Sequence, residues 1–161
     1  LKYDLPDNFV CRPFDINKES EEIANVMIKG YEGGICDEIN GAASQKEAID
    51  DMIHVLNIYS HNNFSRVIVE KTTNKIVAVC LAGIGKDCTH NYSEIADLCV
   101  LPEFRGIGLA KYLIGSVITD THDISPFVKL FVYVGNNAEY LYHKMGFIAG
   151  PQFTNMTKRS K

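Results

Sequence analysis

The chain has 161 residues, 46% of them hydrophobic and 22% charged, with a formal net charge of −4. A chain of this length makes one domain and buries roughly 68–70% of its unfolded surface, so its core needs neither disulfides nor a structural metal. Its mostly apolar stretches are only strand-length, which excludes a membrane-spanning helix. The acidic balance excludes nucleic acid as the main partner, because a phosphate backbone demands a basic face.

The charge is unevenly distributed. Residues 1–60 hold twelve acidic against five basic side chains, and the remainder hold eight against eleven. That asymmetry suits a cation on one side of the molecule and an anion on the other, although solvated helix faces account for part of it. No basic segment followed by an apolar stretch marks a secretory signal, and Leu1 in place of Met points to a processed or trimmed terminus. Cys11, Cys36, Cys80, Cys88 and Cys99 form no C-x-x-C pair, and no histidine stands at ligand spacing from them. No metal site is expected, and the odd count predicts reduced thiols in a cytoplasmic protein.

In chain order, Phe9 to Phe14 reads as a first strand. A helix opens at Asn17 to Ser20, with Glu21 and Glu22 at its positive end and Ile23, Val26 and Met27 on one face; Gly30, Gly33 and Gly34 break it. Ser44 with Glu47 three residues on makes a capping box for a second helix carrying Ala48, Ile49, Met52, Ile53 and Leu56. Phe64 to Glu70 and Ile76 to Ile84 are strands joined by a tight turn at Thr72 to Lys75, a hairpin. Glu94 to Leu101 is a further strand, followed by a helix from about Gly106 with Leu109, Tyr112, Leu113, Val117 and Ile118 on its apolar side. Phe127 to Val134 is the most strand-like run. Ala138 to Met145 is a short helix ended by Gly146, and Phe147-Ile148 begins a last strand. The order β-α-α-β-β-β-α-β-α-β is an α/β layout with hairpins in the middle.

The sharpest chemical feature is the junction Pro102-Glu103-Phe104-Arg105-Gly106-Ile107-Gly108-Leu109-Ala110 between a strand and a helix. Two glycines and a small alanine let backbone amides crowd at a helix N-terminus, where unpaired N–H groups and the helix dipole favour a phosphate. No Gly-Lys-Ser/Thr follows, so this is not a Walker loop. The third glycine and the distal acid of a dinucleotide fingerprint are missing too. About thirty residues later stands Asn137-Ala138-Glu139-Tyr140-Leu141-Tyr142-His143-Lys144-Met145-Gly146-Phe147.

Together, Leu98, Val100, Pro102, Arg105, Gly106, Gly108 and Ala110, then Ala138, Leu141, Tyr142, Lys144, Gly146 and Phe147, resemble the two motifs of the GNAT superfamily of acyl-CoA-dependent N-acyltransferases. The element order matches over nearly the whole chain, and Met156-Thr157-Lys158 resembles the family's closing strand. The resemblance implies an α/β (α+β) fold with a mixed, mostly antiparallel central sheet, splayed middle strands and helices on both faces. It implies one domain over 1–161, with acceptor-side helices at about 17–60 and an acyl-CoA-binding core at about 64–150.

The resemblance also implies acetyl-CoA, or another acyl-CoA, as co-substrate between the strands ending near Leu101 and Val134. The amides of Arg105, Gly106, Ile107, Gly108, Leu109 and Ala110 would take the pyrophosphate, and the backbone of Leu98, Cys99 and Val100 the pantetheine arm. An N–H near Leu98 would polarise the thioester carbonyl. The side chains of Leu98 and Val100 themselves read as core. Two positions depart from the family pattern. Glu103 stands where Gln or Arg is usual, and Gly135 replaces an Asn, leaving Asn136 or, preferably, Asn137 to meet the cofactor.

Direct transfer to a primary amine needs the acceptor to lose a proton and the thiolate to gain one. By resemblance Tyr142 is the general acid, while Tyr140 is packing. Glu94 is the base, with Asp97 its rival on the opposite face of a regular strand; a bulge would change that parity. His90 and Tyr133 are weaker candidates. Tyr31, Glu32 and Tyr133 are expected at the acceptor pocket, beside Asp37 and Glu38 in a Gly-rich loop, which suits a cationic amine such as a polyamine, an aminoglycoside, a peptide N-terminus or lysine. The family resemblance allows a homodimer. The competing reading is a non-catalytic acyl-CoA-binding regulatory module.

Overall fold

The computed structural model describes residues 3–59, 63–86 and 91–152. Strand β1 (Phe9–Arg12) leads to α1 (Ile16–Tyr31), the short α2 (Ile35–Asn40) and α3 (Gln45–Ile58). Strands β2 (Arg66–Glu70), β3 (Lys75–Lys86) and β4 (Asn91–Val100) follow, then α4 (Leu109–Thr121), β5 (Val128–Leu130) and α5 (Ala138–Lys144). One five-stranded sheet runs β1-β2-β3-β4-β5, antiparallel throughout except for the parallel β4–β5 pair. No helix among the described residues is long and apolar enough to cross a membrane.

Local chemistry accounts for the element ends. Asp15 caps α1 by accepting from the Asn17 amide at 3.1 Å, so the helix starts earlier than the expected Asn17 and Glu19 is the acid in its first turn. Glu22 is not a dipole partner. Its carboxylate accepts from the Ile76 N–H at 2.8 Å, where the β2–β3 register skips Val77 and leaves that amide without a strand partner. The Ser44–Glu47 capping box forms at the start of α3, and Asn74, at φ 56°, makes the β2–β3 turn. Gly146, at φ 90°, closes α5.

The two faces of the sheet carry different helices. Gly30 of α1 sits on Cys99 and the Tyr31 hydroxyl bonds Asp97, so α1 covers the face of the odd-numbered end of β4. Arg66 stands across from Cys80, itself across from Leu98, and its guanidinium pairs with Asp120 of α4 on the opposite face. Ile23, Met27 and Met52 are buried from α1 and α3; Leu109, Leu113, Ile114 and Val117 are buried from α4. Each such side chain contributes about 1.5–3 kcal/mol by leaving water.

Five expectations change. Gly30 does not break α1, because it is required inside the helix: a Cβ there would lie 2.8 Å from Cys99 Cβ. The Gly-rich loop holds a helix, α2, which carries Asp37 and Glu38. The strand expected over 127–134 shrinks to Val128–Leu130, and no strand follows α5 among the described residues. The fourth helix starts at Leu109 rather than Gly106, because Gly106 (φ 82°) and Gly108 (φ 96°) are left-handed. Met156 to Lys158 lies outside the described residues.

Gly30→Ala tests the α1–β4 seam. Alanine gains about 1 kcal/mol of helix propensity, but forcing apart two packed elements costs about 1–3 kcal/mol. Urea denaturation is expected to show net destabilisation of up to roughly 2 kcal/mol; a gain approaching the full helix propensity of alanine would mean that α1 is not seated on Cys99.

Candidate active site

The site begins with a defect in β4. Leu81 faces Asp97 and Ala82 faces Ile95, so Ala96 is an extra residue in the ladder. A bulge bends its strand and increases local twist. The parallel pairing with β5 ends at Ile95–Leu130, immediately before the bulge. Beyond it no strand among the described residues pairs with that edge of β4 up to Val100. The Leu101 N–H donates to Val77 O on β3 at 2.9 Å; by alternation the N–H groups of Leu98 and Val100 point away from β3, into the gap.

The gap is the wall of a cleft of about 860 Å³. At one end lies the loop after β4, where Pro102–Phe104 forms a 3₁₀ turn. Gly106 and Gly108 then turn the chain so that α4 starts with no side-chain cap. Tyr112 is the first residue of α4 whose amide finds a backbone acceptor, Gly108 O at 3.0 Å. Among the described residues the amides of Gly106 to Lys111 have none, and Gly106, Gly108, Leu109, Ala110 and Lys111 line the cleft. Free N–H groups on five cleft-lining residues at a helix N-terminus are suited chemically to an anion.

Arg105 fixes this loop. Its Nε donates to Val100 O at 3.1 Å and its Nη2 to Gly30 O at 2.6 Å, joining the end of β4 to the end of α1. Ile107 is exposed and outside the cleft lining, and the Leu109 side chain is core, so only its backbone is available. Cys99 likewise is a buried thiol that burial pushes far above the ordinary range.

Across the cleft stands α5. Asn136 Oδ1 accepts from the Ala138 amide at 2.9 Å, one residue before the N-cap position Asn137. Both asparagines line the cleft. Tyr142 lines it too, half-buried, its ring 5.8 Å from that of Phe147. Burial holds its hydroxyl above the ordinary tyrosine value, with the Cys80 thiol a smaller cause. It is a protonated donor at neutral pH.

The α1–α2 side of the cleft carries carboxylates. Tyr31, Glu32 and Glu38 line it. The Tyr31 hydroxyl donates to Asp97 Oδ1 at 3.0 Å, and the nearby Leu98 N–H favours its charged form slightly. Burial raises the Asp97 carboxyl to about 6, the Tyr31 bond opposing and the Asp51 charge adding to the rise. Tyr31 itself is raised well above its usual range by burial and by the Asp97 charge.

The sequence of an acetyltransferase (GNAT) domain family matches residues 37–157. The chain belongs to this GNAT family. No curated protein matches it in sequence. Among solved structures, a mutant of the BH1408 protein from Bacillus halodurans is similar at a TM-score of 0.74 and 19% identity, covering 93% of this chain and 99% of that one. Glucosamine-6-phosphate N-acetyltransferase from Arabidopsis thaliana gives 0.66 and 20%, covering 96% and 100%. The NatC complex bound to Gag peptide and CoA gives 0.68 and 21%, covering 89% and 87%. At these identities the likeness is one of fold, and it is the mixed α/β fold that the motifs imply.

Within this GNAT fold the expected site residues separate into two groups. Leu98, Cys99, Val100, Arg105, Gly106, Gly108, Leu109, Ala110, Asn137, Tyr142, Tyr31 and Glu32 converge on the cleft. Glu94 and Tyr133 do not line it; Glu94 engages the Tyr59 hydroxyl, which carboxylate and burial together push upward. The bulge brings Glu94 to the same face as Asp97, where a regular strand would have opposed them. His90 and Cys88 lie outside the described residues. Tyr59 and the Tyr31–Asp97 bond escape sequence reasoning, although a lone acid in the apolar run Ile95 to Leu101 is a visible sign.

Asp97 also gives the stability a pH dependence. Its folded carboxyl binds a proton more readily than the unfolded chain does, so its charge costs the fold nothing below about pH 4 and about 2–3 kcal/mol once pH has risen through about 6. Asp97→Asn keeps the acceptor for Tyr31 and is expected to raise the unfolding free energy by up to that amount at pH 8 and by little at pH 4. Paired urea titrations at the two pH values check it; an equal change at both would refute the assignment.

Proposed function

We propose that the protein is an N-acetyltransferase that moves an acetyl group from acetyl-CoA to a primary amine by direct attack in a ternary complex. One observation carries this reading: the unpaired amides of Gly106 to Lys111 and the unpaired edge of β4 at Leu98 and Val100 face the same cleft as the Tyr142 hydroxyl. The CoA bound in the structurally similar NatC complex supports the choice of co-substrate.

The residues fit such a group. The amides of the Gly106–Gly108 turn and the first turn of α4 would hold a pyrophosphate, with Arg105 and Lys111 adding positive charge at that end. The Leu98 and Val100 backbone would hold an extended pantetheine arm as an added strand. A Leu98 N–H aimed at the thioester oxygen stabilises the charge that develops there. Acetyl-CoA supplies the activated carbonyl. Tyr142 gives its proton to the departing sulfur as the C–N bond forms and the C–S bond breaks. By family resemblance the proton of the incoming amine goes to Glu94 on the acceptor side.

The carboxylates of Glu32 and Glu38 in the cleft lining, on the α1–α2 side, support a cationic acceptor. A polyamine or a peptide amine meets carboxylates where it enters, and a neutral amine has no such attraction.

Thermal shift with acetyl-CoA and CoA against NAD and ATP tests the cofactor: ligand at 100 times its dissociation constant stabilises the fold by about 2.7 kcal/mol. Stabilisation by the first two alone is expected, and its absence with both would sink the reading. Tyr142→Phe is expected to keep the acetyl-CoA shift and to lower thiol release with polyamine acceptors about a hundredfold. Acetyl-CoA binding without thiol release from any amine would favour a regulatory acyl-CoA-binding module.

A further inference from the structure

We propose that Tyr31 and Asp97 form the proton-accepting pair of the acceptor side, the Tyr31 hydroxyl taking the proton of the bound ammonium while passing its own to Asp97. The inference rests on the acyltransferase reading above and gives that reading a different destination for the proton than Glu94.

The geometry sets three groups side by side: Tyr31 O–H donates to Asp97 Oδ1 at 3.0 Å, and the Leu98 N–H lies close to Tyr31 Oη. The Leu98 amide is the donor that would meet the thioester oxygen. A nucleophile attacking that carbonyl therefore arrives next to Tyr31, which lines the cleft. Glu94 is three residues back on β4, does not line the cleft, and is committed to Tyr59. Tyr31 is the last residue of α1, and Arg105 bonds the carbonyl of the preceding Gly30, so the hydroxyl is held from two sides.

The groups around Asp97 come from every neighbouring element: Tyr31 from α1, Cys36 from α2, Asp51 from α3, Cys80 from β3 and Cys99 from its own strand. None is a cation. Among the described residues no basic side chain neutralises the carboxylate, and it is correspondingly ready to take a proton near neutral pH.

The step balances. The ammonium N–H bond breaks, its proton goes to Tyr31 Oη as the Tyr31 proton goes to Asp97, and the freed lone pair forms the C–N bond. The C–S bond breaks, the sulfur takes a proton from Tyr142, and the second nitrogen proton returns through solvent to Tyr142. One proton remains on Asp97 and leaves for water.

The test uses the full chain, acetyl-CoA, and spermidine and propylamine as acceptors. Wild type, Tyr31→Phe and Asp97→Asn are compared for acetyl-CoA affinity by calorimetry and for thiol release from pH 5 to 9. Both variants are expected to bind acetyl-CoA within threefold of wild type, which also shows that they fold. Asp97→Asn is expected to lower kcat/KM for the amine about a hundredfold and to remove the rise in rate through about pH 6. Tyr31→Phe is expected to lower it at least tenfold. Hydroxylamine, an acceptor already unprotonated at neutral pH, is expected to restore most of the lost rate, which a merely structural defect would not allow.

A wild-type rise in rate preserved in Asp97→Asn overturns the proposal, as does its loss in Glu94→Gln alone, which would give the proton to Glu94. Failure of the wild-type chain to acetylate either amine while binding acetyl-CoA overturns it too. Failure of the wild-type chain to bind acetyl-CoA would instead strike the acyltransferase reading itself.

Discussion

One extra residue, Ala96, sets the shape of the site. A sheet edge that paired regularly with β5 to the end of β4 would satisfy every amide from Asp97 to Val100 and leave nothing for a ligand. The bulge ends the parallel ladder after Ile95–Leu130 and opens the cleft from that point onward. It also resets side-chain parity, so that Asp97 turns toward α1 together with Glu94 instead of away from it. Backbone availability and carboxylate placement thus have a common cause.

Unpaired backbone groups are tolerated only where they remain accessible, because a donor left dry costs about 1–3 kcal/mol. Here they cluster along a single open cleft and water serves them until a ligand does. Keeping them pointed the right way demands a rigid loop. Gly106 and Gly108 supply backbone angles that L side chains rarely adopt. Arg105 then spends its guanidinium on two carbonyls, Val100 O and Gly30 O. The arginine of the motif is in this respect a tie between strand, loop and helix as much as a source of charge.

Features governed by adjacent residues are legible in the sequence. The Ser44–Glu47 box, the Asn74 turn, the Gly146 stop and the glycine pair before α4 all declare themselves within a few positions. Features governed by distant contacts do not. Gly30 reads as a helix breaker because its reason for being glycine, the close approach of Cys99, lies 69 residues away in the chain. A period-2 pattern cannot announce its own interruption, so neither the bulge nor the early end of β5 was visible in Ile95 to Leu101 or in Phe127 to Val134. The Tyr31–Asp97 bond, spanning 66 positions, belongs to the same class. Family resemblance carried the backbone roles well, since these follow from the fold. It carried side-chain roles less far, since these follow from surroundings.

The two carboxylates on one face of β4 make that last distinction concrete. Glu94 stands beside β5, where the Tyr59 hydroxyl occupies it. Asp97 stands past the bulge, desolvated, with the hydroxyl of a cleft-lining tyrosine as its bonded partner. Two like groups three residues apart acquire different chemistry from what surrounds them, and a base is most useful when its proton affinity is close to the working pH. The two tyrosines of the cleft divide in the same way. Tyr142 has no carboxylate partner and keeps a proton to give; Tyr31 is bonded to one and has somewhere to pass a proton it receives. Donor and acceptor ends of a transfer are then set by which tyrosine has an anion behind it.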